Sequence, residues 1–234
     1  MKIRGRLRFP VTANRVSDVR STMDYSSADT AQLCEQVRGG DQAALNELFT
    51  RHRPRLRLMV EMRLDTRLRS RLDASDVIQD AFVEVIERIE SYLTDPKLPL
   101  FLWLRLVVGE RLLKLHRHHL GTQMRDARRE VSLYGGALPA ASSAALAAQL
   151  LGKQTSPTQA VVRAERIMRL QEALNALDPM DREVLSLRHF EELSVAEAAR
   201  VLDIEEAAAA KRYFRALKRL KEILATLPVI EESA

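Results

Sequence analysis

The side chains best placed to do chemistry in this chain are cations near its end. Lys211, Arg212, Arg215, Lys218, Arg219 and Lys221 alternate with apolar Tyr213, Phe214, Leu217, Leu220 and Leu224. That mixture describes an amphipathic helix with one basic side, and a basic side is either a solvated surface or a binder of phosphate. The elements in front of it favour the second. Asp178 is a helix N-cap with Pro179 at the first helical position, where a missing N–H is harmless. Ser194-Val195-Ala196-Glu197 is a capping box, in which hydroxyl and carboxylate satisfy each other's orphan amides. Leu202-Asp203-Ile204 is a turn, and Asp tolerates the left-handed conformation such a turn uses. A capped helix, a short capped helix, a tight turn and a basic helix form a helix-turn-helix, whose last helix enters a DNA major groove. By that geometry Glu206, Ala207, Ala208, Lys211 and Arg212 lie nearest base edges, and Arg215 and Lys218 nearest phosphates. Tyr213, Phe214, Leu217 and Leu220 are then expected to supply most of the apolar contacts to the other two helices. The alanines from Ala207 to Ala210 are equally well explained as helix formers or as small residues admitting close approach to bases.

Two earlier stretches also carry organised charge. Asp76 to Glu90 projects into an apolar side (Ile78, Ala81, Phe82, Val85, Ile86, Ile89) and an acidic stripe of Asp76, Asp80, Glu84 and Glu87. In a chain of net charge +5 such a stripe complements a basic protein partner, not DNA. The stretch from Leu100 to Leu120 has a core stripe of Phe101, Leu104, Val108, Leu112 and Leu115. Arg111, Lys114 and His118 share another face, with Trp103 at its edge. An aromatic beside cations is the combination that holds single-stranded nucleic acid, although Trp103 is read equally well as core. His116, His118 and His119 have no cysteine or second ligand cluster nearby, so no metal site is expected.

The 234 residues are 46% hydrophobic and 29% charged, the balance of a globular protein. Cys34 is the single cysteine, which excludes an intramolecular disulfide; it falls in an apolar stripe with Leu33 and Val37. No apolar run approaches a membrane span, and the basic start lacks the apolar core of a secretory signal. Helical periodicity runs almost throughout, so an all-α fold is expected: two small helical domains joined by a linker, the C-terminal one a helix-turn-helix. The expected division is a basic tail over 1–26, with Met23 favoured as the start, a helical domain over 27–130, an Ala/Ser/Gly-rich linker over 131–157, and the helix-turn-helix domain over 158–228. Within the linker, Ser143 to Leu151 reads as a short helix capped by Ser142 or Ser143. No Gly-rich phosphate loop, acid/base pair or cofactor motif is present, and no enzyme is expected.

The order of parts resembles the extracytoplasmic-function sigma factors of bacterial RNA polymerase. The matching residues are Gly40-Asp41-Gln42-Ala43-Ala44 with Leu48-Phe49, Asp76-Val77-Ile78-Gln79-Asp80-Ala81-Phe82, Trp103-Leu104, Asp181-Arg182-Glu183-Val184-Leu185, and Leu193-Ser194-Val195-Ala196-Glu197-Ala198-Ala199. The resemblance implies a cytoplasmic protein that binds core RNA polymerase (β′ clamp and β flap) and promoter DNA, with an anti-sigma factor as a candidate third partner and no cofactor. It implies that Asp76, Asp80, Glu84 and Glu87 face the β′ clamp. It implies that Trp103, Arg111, Lys114 and His118 meet the −10 element. The helix from Glu206 would read the −35 element. The chain departs from the family in having Asp203 where Gly is usual, Glu205 and Ala208 where Ser or Thr is usual, and Ala210 where Lys is usual, so its −35 preference is expected to differ. The rival reading is a stand-alone helix-turn-helix regulator, which leaves the acidic stripe without a partner.

Overall fold

The structure is a computed structural model and describes residues 27–120, 131–133, 136–151 and 157–226. The tail over 1–26 lies outside them. The elements are α1 (Ser27–Arg38), α2 (Gln42–Arg63), α3 (Ala74–Thr94), α4 (Leu100–Leu120), β1 (Val131–Leu133), β2 (Gly136–Leu138), α5 (Ser143–Leu150), α6 (Pro157–Asn175), α7 (Pro179–Leu185), a π-helical turn (Ser186–Phe190), α8 (Val195–Leu202) and α9 (Glu206–Thr226). The architecture is helical as expected, and no helix of the described residues is long and apolar enough to cross a membrane.

The chain divides into two compact units, residues 1–51 and residues 52–234. In the first, Gly40 makes the turn after α1 at φ +86°. Asp41 then caps α2, its carboxylate accepting from the N–H groups of Ala43 and Ala44. Val37, Ala44, Leu45, Leu48 and Phe49 are buried there. Cys34 is half-buried, and burial pushes its thiol upward in pKa.

In the second unit, α3 begins at a capping box one turn earlier than its apolar stripe. Asp73 accepts from the amides of Ser75 and Asp76, and the Asp76 carboxylate accepts from the Asp73 amide. Val77, Ile78, Ala81, Val85 and Ile89 of α3 are buried, as are Phe101, Leu104, Val107, Val108 and Leu112 of α4. The C-terminal helices have a separate apolar cluster built from Leu170, Leu174, Leu177, Leu185 and Ala216. Ala141, Leu146 and Ala147 belong to that cluster, and so does Met62 from the end of α2.

The stretch expected as a linker is therefore packed structure where it is described. Ser142 caps α5 as expected, accepting from the Ala145 amide. Its own amide donates to the Met62 carbonyl at 2.8 Å. Ahead of it β1 and β2 pair antiparallel, with Val131 opposite Leu138 and Leu133 opposite Gly136. This hairpin departs from the all-helical expectation. Its signal, two short runs around a Tyr-Gly pair, is a weak version of a two-residue hairpin loop.

Leu138 ends β2 against α4. A Cβ on Gly109 would lie 2.6 Å from its Cδ2, too close for any real contact. Gly109→Ala gains about 1 kcal/mol of helix propensity. Overpacking a filled site loses about 1–3 kcal/mol. The variant is thus expected to have net lower stability, and a urea melt checks it: a raised midpoint would mean that Leu138 moves aside freely.

Candidate nucleic-acid interface

The local chemistry of the helix-turn-helix is as expected. Asp178 accepts from the Met180 amide at 2.9 Å with Pro179 behind it. Ser194 and Glu197 form the capping box of α8. Asp203 ends α8 in the left-handed region at φ 53°, ψ 48°. The first helix, however, does not run straight through. It passes into the π-helical turn, where the Glu191 amide donates to the Ser186 carbonyl, and then to Glu192 at φ 53°.

On α9, Ala209 and Ala216 are buried at 2% and 0% exposure, and Tyr213, Leu220 and Ile223 pack against the C-terminal cluster. At about 100° per residue these positions define one sector, and Phe214 falls outside it. Phe214 is 70% exposed and Leu217 39%, so neither carries the apolar contacts expected of it. The outward stripe is Ala207, Lys211, Phe214 and Lys218, at i, i+4, i+7 and i+11. Glu206 is exposed in the first turn, and Ala208 is half-buried.

Arg212, half-buried, and Arg215, exposed, both reach across to α7. Arg212 Nη1 lies 2.8 Å from Asp181 Oδ1 and 3.7 Å from Asp178 Oδ1. Arg215 bonds both Asp181 oxygens at 2.9 and 2.8 Å. The Asp181 carboxylate is nearly buried, and the Arg215 hydrogen bond, with that of Arg212, holds its pKa below the usual carboxylate range. These two arginines staple α9 to α7 in this structure, while Lys211 and Lys218 face outward.

The acidic stripe and the basic face of α4, read from sequence as surfaces for different partners, meet each other. Arg111 Nη2 lies 2.7 Å from Asp80 Oδ2, and Lys114 Nζ 3.0 Å from Glu84 Oε1. Asp76 is engaged in its capping box, and Glu87 is exposed. Ile86, expected in the core, is 41% exposed beside Val83 at 56%, because the buried sector of α3 centres on Val77, Ala81 and Val85.

Trp103 does not lie beside Arg111 and Lys114. It is 8% exposed and stacks on Tyr92 with ring centroids 4.5 Å apart. Tyr92 in turn donates to the Leu98 carbonyl. The stacked pair lines a cavity of about 330 Å³ with Arg88, Ser91, Asp95 and Lys97. His118 is exposed and meets His119 edge-on. His116 is buried, so the three histidines do not converge; burial lowers its pKa and favours the neutral ring.

A buried ionic network was missed from sequence. Arg63 and Arg105 are almost fully buried, as are Glu183 and Glu191. Arg63 pairs with Glu183 and lies 2.7 Å from Glu191, and Arg105 also pairs with Glu191. Glu183 accepts in addition from the Ala141 amide at 3.0 Å. Arg55 donates to the Glu191 carbonyl at 2.7 and 2.9 Å while its guanidinium lies 3.6 Å above the Phe101 ring. Burial alone would raise the Glu191 pKa, but the Arg105 and Arg63 charges overcome it and hold it low. The π-helical turn is what aims Glu191 inward. The one available signal was Arg105 itself, a lone charge in the apolar run from Leu100 to Val108.

Comparison with known proteins places this geometry. The family model for sigma-70, region 4 matches residues 167–220, the stretch from the second half of α6 into α9. The ECF RNA polymerase sigma factor SigD of Mycobacterium tuberculosis is 29% identical over 192 residues, covering 82% of each chain. The RNA polymerase sigma factor CarQ of Myxococcus xanthus is 27% identical over 193 residues, covering 82% of this chain and 96% of that one. A solved structure of CnrH in complex with the cytosolic domain of CnrY covers 84% of this chain at 22% identity and a TM-score of 0.49. The similarity to SigD and CarQ extends well beyond the helix-turn-helix, which leaves the stand-alone regulator reading without support. The chain's C-terminal helices are thus similar to region 4 of sigma-70 factors, and most of its length is similar to the sigma factors SigD and CarQ.

Proposed function

We propose that this chain is the subunit that brings core RNA polymerase to promoters and starts transcription there, through a helical domain over 27–130 and the helix-turn-helix domain over 158–228. The observation that carries the reading is the outward stripe of α9, basic and presented after a capped α8 and a left-handed turn. That stripe fits the −35 duplex. The Trp103–Tyr92 cavity, flanked by Arg88 and Lys97, is a candidate for an unstacked base of the −10 element beside the Arg111–Lys114 face. The cations of both are engaged, Arg88 with Glu110 and Lys97 with Asp95, Arg111 with Asp80 and Lys114 with Glu84. An exposed patch of α3, Val83 and Ile86 with Glu87 and Glu90 beside them, fits the polymerase itself.

Transcription from a promoter library by purified core polymerase, with and without the full chain, tests the function. Promoter-specific transcripts are expected only with the chain, and their absence would refute the reading. The polymerase surface has its own test. Glu87→Lys is expected to weaken binding to core about tenfold with unchanged helicity, since a single charge is reversed on an exposed face. Unchanged affinity would remove this face from the interface.

A further inference from the structure

Phe214 stands where sequence reasoning did not put it. At 70% exposure it is the most exposed of the large hydrophobic residues among those described, and it sits inside the outward stripe of α9. Lys211 and Lys218 flank it one turn away on either side, and Ala207 and Ala210 lie ahead of it on the same side. A surface phenylalanine in a row of lysines does nothing for phosphate binding, which needs charge alone. The feature of a major groove that rewards an apolar side chain is the 5-methyl group of thymine. The neighbours agree with that use. The small side chains of Ala207 and Ala210 let the backbone approach the bases, and the lysines reach the phosphates on either side. Phe214 is about 12 Å along the helix axis from Glu206, comparable to the width of the groove.

We propose that Phe214 is a specificity-determining residue, its ring packing on a thymine 5-methyl group in the −35 duplex. The inference rests on the reading of α9 as the −35 helix, and it adds a base and an atom to it. A protein partner is the alternative occupant of an exposed ring. The rim here is cationic on both sides and lies on the face that a helix-turn-helix turns to DNA, so DNA is favoured.

The test uses the holoenzyme of full chain and core polymerase. It first selects preferred −35 duplexes from a randomised pool, and each thymine is then replaced singly by deoxyuridine, which removes only the methyl. With the unaltered chain, one replacement is expected to weaken binding about fourfold, the worth of one buried carbon of this size. With Phe214→Ala the same replacement should have no effect, and Phe214→Leu should keep part of it. Both variants should fold, because the ring is exposed and Ala and Leu are good helix formers.

Identical deoxyuridine profiles for the variants and the unaltered chain would overturn the proposal. So would a selected element without thymine. A Phe214→Ala chain that loses affinity for core polymerase alone, with the profile unchanged, would assign the ring to a protein surface instead. A holoenzyme that selects no −35 sequence would remove the underlying reading of α9 and Phe214 with it, whereas one that selects a sequence without coupling to Phe214 removes this residue only.

Discussion

Glu191→Ala is expected to destabilise the protein by about 3–5 kcal/mol, the loss typical when one partner of a buried ion pair is removed. Total stability of a domain is only about 5–15 kcal/mol, so a large share of the variant should unfold under mild denaturant. The reason lies in what the carboxylate leaves behind. Arg105 is buried and pairs with Glu191, and Arg63 would keep Glu183 alone. Urea melts measure the shift, read as a lower midpoint at unchanged slope. Adding Arg105→Met to Glu191→Gln separates charge from packing. If the orphaned guanidinium is what destabilises, the second substitution should restore part of the loss, although alone it is harmful. If the two losses simply add, the network is ordinary packing and the ion pair contributes little.

The same network gives stability a pH dependence of defined sign. Glu191 is held below the usual carboxylate range in the folded chain. Its contribution is therefore fully present above the pKa of the unfolded chain and disappears as pH falls through its own lowered value. Asp181 acts in the same direction. Glu191→Gln should remove part of the acid sensitivity along with the stability.

What was legible in the sequence was whatever depends on a few neighbouring residues. The caps at Asp178 and Ser194, the helix over Ser143 to Leu150 and the left-handed Asp203 are each decided within one turn of chain, and each is present. What was not legible depends on which helices meet. Asp80 and Arg111 are separated by thirty-one positions, and Arg105 and Glu191 by eighty-six. Nothing local pairs them, so the sequence reading assigned Asp80 and Arg111 to different partners. Phe214 and Ile86 failed for a related reason. An apolar residue near the edge of a helical sector is core or surface according to how far the neighbouring element extends, and that is a property of the packing. Trp103 went inward because Tyr92 lies on the facing helix to stack on it.

The cations of α9 can now be separated by what they already hold. Arg212 and Arg215 are committed to Asp181, whereas Lys211 is exposed and Lys218, at 80% side-chain exposure, has only Glu222, 4.0 Å away, among the described residues. If Lys211 and Lys218 each neutralise one phosphate, replacing both by Ala should lower the salt slope of log affinity by about 1.8 units. Taking affinity as equal at 1 M salt, that slope means about sixtyfold weaker binding at 0.1 M. The loss should be the same on preferred and scrambled −35 duplexes, because phosphates carry no sequence. Arg212→Ala should behave differently, lowering the melting temperature by loosening α9 from α7 and leaving the salt slope nearly unchanged. Titrations at several salt concentrations, beside thermal melts of the same proteins, decide between the two roles. If Arg212→Ala instead keeps its stability and loses discrimination between the duplexes, the bond to Asp181 is one that DNA displaces, and Arg212 reads a base after all.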